Sequence, residues 1–309
     1  MNYLFAHWSF DPALVGVIVT VFLHELGLRR LRERSRASRV RERRRRSWLF
    51  YGGLLVLLIA VESPIDYWSS SYFSVHMVEH LLISFAAPVL VVAGAPWIPL
   101  QFALPVRARR SLGRFFYLSS KASGFRMLGR IVRNPWVALL SFNAAMLVWH
   151  IPSWFNLAER NSFVHIVLMH GSFFVTGVLF WLQIIRSFPM KPRQSAVWQV
   201  GAILGTNVVM TFLAMAMSIF TNVSWYSSYQ HVPGVSFPPF ADQQIGAAIL
   251  WVCGDFWAAP VLGIIIRRAI NAEGSLSGVI DRITHRNEVQ VISAARSREG
   301  SPASVLDQG

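Results

Sequence analysis

Long apolar segments separated by arginine-rich connections restrict the fold of this chain more than any other feature. Of its 309 residues, 54% are hydrophobic and 14% are charged. A helix needs about 20 mostly apolar residues to cross a bilayer. The sequence therefore predicts an all-α, polytopic integral membrane protein built as a seven-transmembrane-helix bundle. The predicted spans lie near residues 11–28, 47–63, 73–97, 135–152, 163–185, 196–220 and 243–266.

The basic residues are distributed unevenly among the connections. There are 11 arginines in residues 29–46, 8 basic residues in 107–133, 3 in 186–193 and 6 from 267 onward, which leaves only Arg160 for the other side. Because Lys and Arg near the ends of spans mark the cytoplasmic side, we expect the amino terminus outside and the carboxy terminus in the cytoplasm. An odd number of spans agrees with this orientation.

The net charge of +14 does not predict a nucleic-acid partner, because the basic residues lie in loops between apolar segments. We interpret the arginine run in 29–46 as an anchor that faces anionic membrane lipid. Residues 1–273 are predicted to form the transmembrane domain. The polar residues 274–309 are predicted to be a disordered cytoplasmic tail. A single cysteine, Cys253, excludes disulfide frameworks and cysteine-rich zinc sites.

Seven of the nine histidines fall on the predicted outer face, and ionisable groups at membrane depth usually have a function. His76 and His80 are four residues apart in the sequence VHMVEH, so an α-helix places both imidazoles on one face. That spacing can chelate one metal ion. The alternative is a pair held by hydrogen bonds to the backbone or to Glu79.

Other helices supply further candidate ligands on the same face. His150 precedes Pro152 at the end of the predicted fourth span, where its ring can reach a shared cavity. His165 and His170 are five residues apart, which corresponds to a rotation of roughly 140° around an α-helix. We therefore expect them to be less able to share one ion, with one of the two serving as a supporting residue.

Two further candidates, each with an alternative structural role, complete the predicted metal site. Met77 lies between the paired histidines, and thioethers together with imidazoles suit copper; packing is the alternative role for this methionine. Asp242 opens the predicted last span, where a carboxylate can cap a helix or bind a metal. The predicted metal ligands are thus His76, His80, His150, His165, His170, Met77 and Asp242.

Four sequence blocks in order, HMVEHLLISFAAPVLVVAGAP, WHIPSWFNLA, the His170 region ending in GVLFW, and ADQQIGAAILW, are similar to the CtaG-like family of cytochrome c oxidase assembly factors, the branch associated with caa(3)-type oxidases. The resemblance implies a multi-pass protein of the bacterial inner membrane that helps the oxidase to mature through its copper centres. It points to His76, Met77, His80, His150, His170 and the trio Asp242, Gln243 and Gln244.

We therefore predict a non-enzymatic assembly factor that binds copper at the periplasmic side and delivers it to cytochrome c oxidase subunits. Association with another copy of itself stays open. The sequence has no Walker motif, no Gly-x-Ser-x-Gly and no His-Glu-x-x-His, which argues against nucleotide-driven pumping and the common hydrolases. The alternatives are a metal transporter or copper-resistance protein, a membrane metalloenzyme, and a metal-free scaffold.

Overall fold

The computed structural model describes residues 7–8, 12–33 and 35–273, and within these ranges the chain is helical without a named β-strand. The predicted tail 274–309 lies outside the described residues. The α-helices, each taken with any π-helical segment inside it, are α1 (Pro12–Arg32), α2 (Ala37–Glu62), α3 (Pro64–Ser69), α4 (Phe73–Gly94), α5 (Trp97–Ala103), α6 (Val106–Leu118), α7 (Ser123–Val132), α8 (Pro135–Trp149), α9 (Pro152–Arg160), α10 (Val164–Ile184), α11 (Ala196–Ser218) and α12 (Pro239–Glu273).

The described helices are consistent with a multi-pass membrane protein. Four of them, α4, α10, α11 and α12, are long and apolar enough to cross a membrane. A fifth span is possible if the pair Ser120–Val132 and Pro135–Trp149, bent by 75°, forms one crossing. The predicted spans 11–28 and 47–63 fall on α1 and α2, which both carry arginines. The predicted count of seven and the predicted orientation of the termini are therefore not confirmed.

Helix boundaries follow from capping residues and prolines in the sequence. Asn134 accepts a hydrogen bond from the backbone N–H of Trp136, and Ser195 does the same for Trp198. Proline occupies the first turn of α3, α8 and α9, where its missing N–H costs no helical hydrogen bond. Helix α4 ends at Gly94, and the following residue, Ala95, has a left-handed φ of 50°. Capping side chains and prolines in the sequence thus mark the boundaries of these helices.

The chain divides into two compact units, and the candidate site lies in the first, which ends at Ala258. The second unit begins at Ala259 and is described to residue 273 as the remainder of α12. In the first unit, an aromatic core packs α4, α8 and α10 together. The ring centroids of Phe142 and Phe180 are 4.8 Å apart, and those of Phe85 and Phe142 are 5.1 Å apart. These contacts fix the helices that carry the histidines.

Two sets of connections meet at opposite ends of the helices in the first unit. At one end, Tyr229 of the connection between α11 and α12 donates a hydrogen bond to the carbonyl of Ser69, at 2.8 Å. At the other end, Arg30 donates to the carbonyl of Ala103 at 2.6 Å, and the Trp97 indole donates to Ser187 at 2.7 Å. The arginine-rich segment 29–46 belongs to this second end.

Candidate metal centre

The two histidines at the start of α4 form a close pair. The Nε2 atoms of His76 and His80 are 2.7 Å apart, and both side chains are buried. Their spacing of four residues places them on one face of the α-helical segment Phe73–Leu81, as predicted. Next to this pair, the Tyr229 hydroxyl donates its single proton to the carbonyl oxygen of Ser69, because a carbonyl oxygen can only accept a hydrogen bond.

The Nδ1 atom of His76 lies 2.9 Å from the Tyr229 hydroxyl oxygen, which has no proton left to give. His76 must therefore donate from Nδ1, and its Nε2 carries the lone pair that a metal ligand needs. The structure thus selects the tautomer of His76 that can bind a metal on the side facing His80.

A second close pair lies on α10 and corrects the prediction made for these residues. The Nε2 atoms of His165 and His170 are 3.0 Å apart. The segment Val164–His170 is a π-helix, in which hydrogen bonds join residues five apart, so this spacing brings side chains onto one face. The expected separation assumed an α-helical turn. The predicted rotation of the two rings away from each other was therefore wrong.

The two pairs meet in one buried cluster. The imidazole rings of His76 and His165 are stacked with centroids 5.2 Å apart, and those of His80 and His170 are 5.8 Å apart. One ligand atom from each of His76, Glu79, His165 and His170 lies within 4.8 Å of the others. We call these four residues together with His80 the histidine–glutamate cluster.

Glu79 belongs to the histidine–glutamate cluster but is absent from the predicted set of metal ligands. Its side chain is 0% exposed, and Oε1 lies 3.4 Å from Nε2 of His170. Neither of its carboxylate oxygens makes a hydrogen bond of ordinary geometry within the described part of the chain. Buried carboxylates are usually paired or bound to a cation. The sequence signal is present in VHMVEH, where Glu79 is predicted only as a hydrogen-bonding partner of the histidine pair.

Glu159 on α9 supports the cluster from outside. Its Oε1 lies 3.4 Å from Nδ1 of His76 and 3.6 Å from Nδ1 of His165. Burial, with a smaller contribution from Asp66, raises the pKa of Glu159 from 4.5 to about 7. A carboxylate behind an imidazole commonly orients a metal-binding histidine. The sequence offered no local signal for this residue beyond an acidic group in a connection.

His150 and Met77 form an adjoining pair. The Nε2 atom of His150 lies 3.4 Å from Sδ of Met77, and its Nδ1 donates to the carbonyl of Met146 at 2.6 Å. The centroids of the His150 and His80 rings are 5.8 Å apart. The structure therefore brings His150 and Met77 beside the cluster, although neither belongs to its set of mutually close ligand atoms.

Asp242 is engaged in helix capping. Its carboxylate accepts hydrogen bonds from the backbone N–H groups of Phe73 and Ser74, at 2.5 and 3.2 Å, and from the Ser74 hydroxyl at 2.5 Å. It thus caps α4 rather than its own helix, and it orients the first turn of the helix that carries His76. The structure does not bring Asp242 into the set of mutually close ligand atoms.

The remaining predicted outer-face histidines lie apart from the cluster. His231 is exposed, and His7 is exposed with its ring stacked on Tyr67 at 3.9 Å. His24 on α1, which is not one of the predicted outer-face histidines, is buried, and its Nδ1 lies 2.9 Å from the Tyr51 hydroxyl. Of the seven predicted outer-face histidines, the structure therefore gathers five.

Comparison with known proteins places the chain in a family. The model of a family described as cytochrome c oxidase caa3 assembly factor matches residues 22–272, which confirms the resemblance seen in the four sequence blocks. Uncharacterized proteins of Mycobacterium bovis and Mycobacterium tuberculosis are each 27% identical over 270 residues, which is 84% of this chain and 38% of theirs. An uncharacterized protein of Mycobacterium leprae is 26% identical over 278 residues, covering 85% and 39%.

The chain thus spans well under half the length of the curated relatives that it matches. No solved structure matches it significantly.

Proposed function

The chain belongs to the cytochrome c oxidase caa3 assembly factor family, and from this premise we propose that it binds copper transiently at the histidine–glutamate cluster and delivers it to an oxidase subunit. The copper is cargo, and the protein acts without catalysing a reaction. The observation that supports this proposal best is the meeting of His76, Glu79, His165 and His170 within 4.8 Å of one another.

The donor atoms of the cluster fit copper. Imidazole nitrogens with a carboxylate oxygen suit Cu(II) and also Zn(II), whereas thioether sulfur favours Cu(I). The pair formed by Met77 and His150, with Sδ 3.4 Å from Nε2, offers such a softer donor set next to the cluster. A site with exchangeable ligands on separate helices suits transfer, because ligands can be replaced one at a time by those of a partner.

We also propose seven membrane spans, an amino terminus outside, a carboxy terminus in the cytoplasm of a bacterial inner membrane, and a cluster that faces the periplasm. The proposal adds α1, α2 and α8, which carry the predicted spans 11–28, 47–63 and 135–152, to the four long apolar helices. It is supported by the separation of the cluster from the arginine-rich segment 29–46, which belongs to the opposite end of the first unit.

The proposed partners are the copper-containing subunits of the oxidase, together with membrane lipid. A second copy of the chain is a further proposed partner. A metal transporter would need further ligands along a path through the bilayer. Among the residues described, the histidine–glutamate cluster supplies the one group of three or more His, Cys, Asp or Glu residues close enough to hold an ion, which favours an assembly factor over a transporter.

The decisive experiment measures copper per chain in detergent-purified protein after loading and dialysis. The variant His76→Ala/His80→Ala is expected to lose the bound copper, while the control His231→Ala changes an exposed histidine and is expected to keep it. Oxidase maturation in cells should fail with the first variant only. Unchanged copper content in His76→Ala/His80→Ala would disprove the proposed site, and failed maturation alongside it would favour a metal-free scaffold.

A further inference from the structure

A second polar site lies in the arginine-rich end of the first unit, away from the histidine–glutamate cluster. It is a cavity of about 580 Å³ between α1, α2 and the region where α4 ends and α5 begins. Its polar lining includes His24, Arg39, Arg43 and Arg46. The proposed copper function makes no use of these residues.

Two arginines give the cavity a positive charge that no described carboxylate neutralises. Arg39 and Arg43 are four residues apart on α2 and therefore share one face. Arg43 donates to the neutral hydroxyl of Ser35 at 2.8 Å. The one acidic residue in the lining, Glu42, is paired with Arg46 at 2.7 Å. Arginine side chains bind phosphate groups through two parallel hydrogen bonds.

His24 adds a hydrogen-bond acceptor to this basic cavity. Glu25 accepts a hydrogen bond from the Tyr51 hydroxyl at 2.6 Å and forms an ion pair with Arg44 at 2.5 Å. The Tyr51 proton is thereby used, so Nδ1 of His24, 2.9 Å from the Tyr51 oxygen, must be the donor. The Nε2 atom of His24 keeps its lone pair for a ligand that carries a hydroxyl group.

The opposite wall of the cavity is apolar. Ile98 and Pro99 of α5 and the ring of Phe188 line it, and Phe188 is 53% exposed. A ligand that fits this cavity therefore combines an anionic group, a hydroxyl group and an adjoining hydrocarbon part. Basic pockets between membrane helices on the cytoplasmic side are suited to acidic lipid head groups.

We propose that this cavity binds one anionic phospholipid with a hydroxylated head group, of the phosphatidylglycerol type. Arg39 and Arg43 hold the phosphodiester, His24 accepts a hydrogen bond from the head-group hydroxyl, and the acyl chains leave past Phe188. The same phosphate and hydroxyl chemistry occurs in soluble glycerol phosphates, so the test must separate the lipid from its free head group.

The test uses the detergent-purified full chain and measures binding of short-chain phosphatidylglycerol by native mass spectrometry. The variant Arg39→Gln/Arg43→Gln is expected to bind the lipid at least about tenfold more weakly, because it loses two charge-assisted hydrogen-bonding groups. The matched control Arg32→Gln/Arg41→Gln removes the same charge from the same arginine-rich end outside the cavity, and it should bind as the wild type does.

A second comparison tests His24 separately. The wild type should prefer phosphatidylglycerol over phosphatidylmethanol, which has the same charge and no hydroxyl, by about 3- to 10-fold, and His24→Phe should abolish that preference. Equal weakening in both double-arginine variants would show diffuse attraction to charge and overturn the site. Unchanged binding in Arg39→Gln/Arg43→Gln, or glycerol 3-phosphate binding as tightly as the lipid, would also overturn it.

Discussion

The Nε2 atoms of His165 and His170 lie 3.0 Å apart because the backbone between them is a π-helix. In an α-helix the same two positions would be turned apart by roughly 140°. The helix geometry therefore brings together two imidazoles that the α-helical spacing would separate. The neighbouring pair, His76 and His80, reaches 2.7 Å with ordinary α-helical spacing.

The His165–His170 pair yields the first prediction. His170→Ala removes a buried imidazole from the centre of the cluster, and we expect copper affinity to fall by at least about tenfold. His165→Ala should weaken binding as well, although His165 is less buried. Competition with a chelator measures both affinities. Affinities equal to that of His231→Ala would show that the pair on α10 takes no part in binding.

Glu79 predicts two effects of opposite sign. In metal-free protein its buried carboxylate lacks a hydrogen bond of ordinary geometry within the described residues, so Glu79→Gln should leave the free energy of unfolding unchanged or raise it by about 1–2 kcal/mol. In the metal-bound protein the same change removes a ligand oxygen and should weaken copper binding. Thermal unfolding with and without copper measures both effects. A variant that is less stable without copper would contradict this assignment.

Asp242 should affect stability rather than metal content. Asp242→Ala removes three hydrogen bonds to the first turn of α4, and we expect a loss of about 1–3 kcal/mol in the free energy of unfolding. Copper per folded chain should stay unchanged. Asp255→Asn is the control, because Asp255 accepts an exposed hydrogen bond from Asn207 at 2.7 Å. Loss of copper from a well-folded Asp242→Ala protein would restore Asp242 to the ligand set.

Glu159 predicts how the stability of the metal-free protein depends on pH. Its pKa rises from 4.5 to about 7 on folding, so the folded state keeps the proton that the unfolded state has already lost. This contribution to stability is complete below pH 4.5 and is lost as the pH rises through 7, by about 3 kcal/mol.

Glu159→Gln should remove this part of the pH dependence. Denaturant unfolding of metal-free wild type and variant between pH 4.5 and 8 measures the difference between them. Parallel curves would show that the Glu159 carboxyl has an ordinary pKa.

Close helix packing behind the site predicts a contrast between two glycines. A Cβ atom at Gly177 of α10 would lie 2.5 Å from the carbonyl oxygen of Ser84. At Gly205, no atom of the described residues beyond the glycine's own stretch of helix would come within 4 Å of a Cβ. Gly177→Ala should therefore cost about 1–3 kcal/mol of stability. Gly205→Ala should be neutral or stabilise the helix by up to about 1 kcal/mol. Melting temperatures in detergent compare the two variants, and similar values would contradict the packing described.

The sequence predicted the helical class, because hydropathy depends only on local composition. The charge of the connections also assigned His76, His80, His150, His165 and His170 to one face, together with His7 and His231, which are exposed and outside the cluster. Contacts between residues that are distant in the sequence could not be predicted. Asp242 caps a helix that begins 169 residues earlier in the sequence, and Glu159 reaches His76 from a short separate helix. No local periodicity encodes either contact.

The π-helical turns were missed for a different reason. The α-helical period is 3.6 residues per turn, and a π turn departs from that period without changing hydropathy. The segments Leu82–Ala86 and Val164–His170 therefore looked like ordinary parts of apolar helices.

The π-helical segment Val164–His170 also affects how homologues should be aligned. A π turn holds about one more residue than the α turn that it replaces. A relative with a regular helix here would need a one-residue gap between the positions equivalent to His165 and His170. Ungapped alignment would then pair the wrong positions and make a shared histidine look substituted. Loss of either histidine in a homologue should therefore be judged only after the gap has been placed.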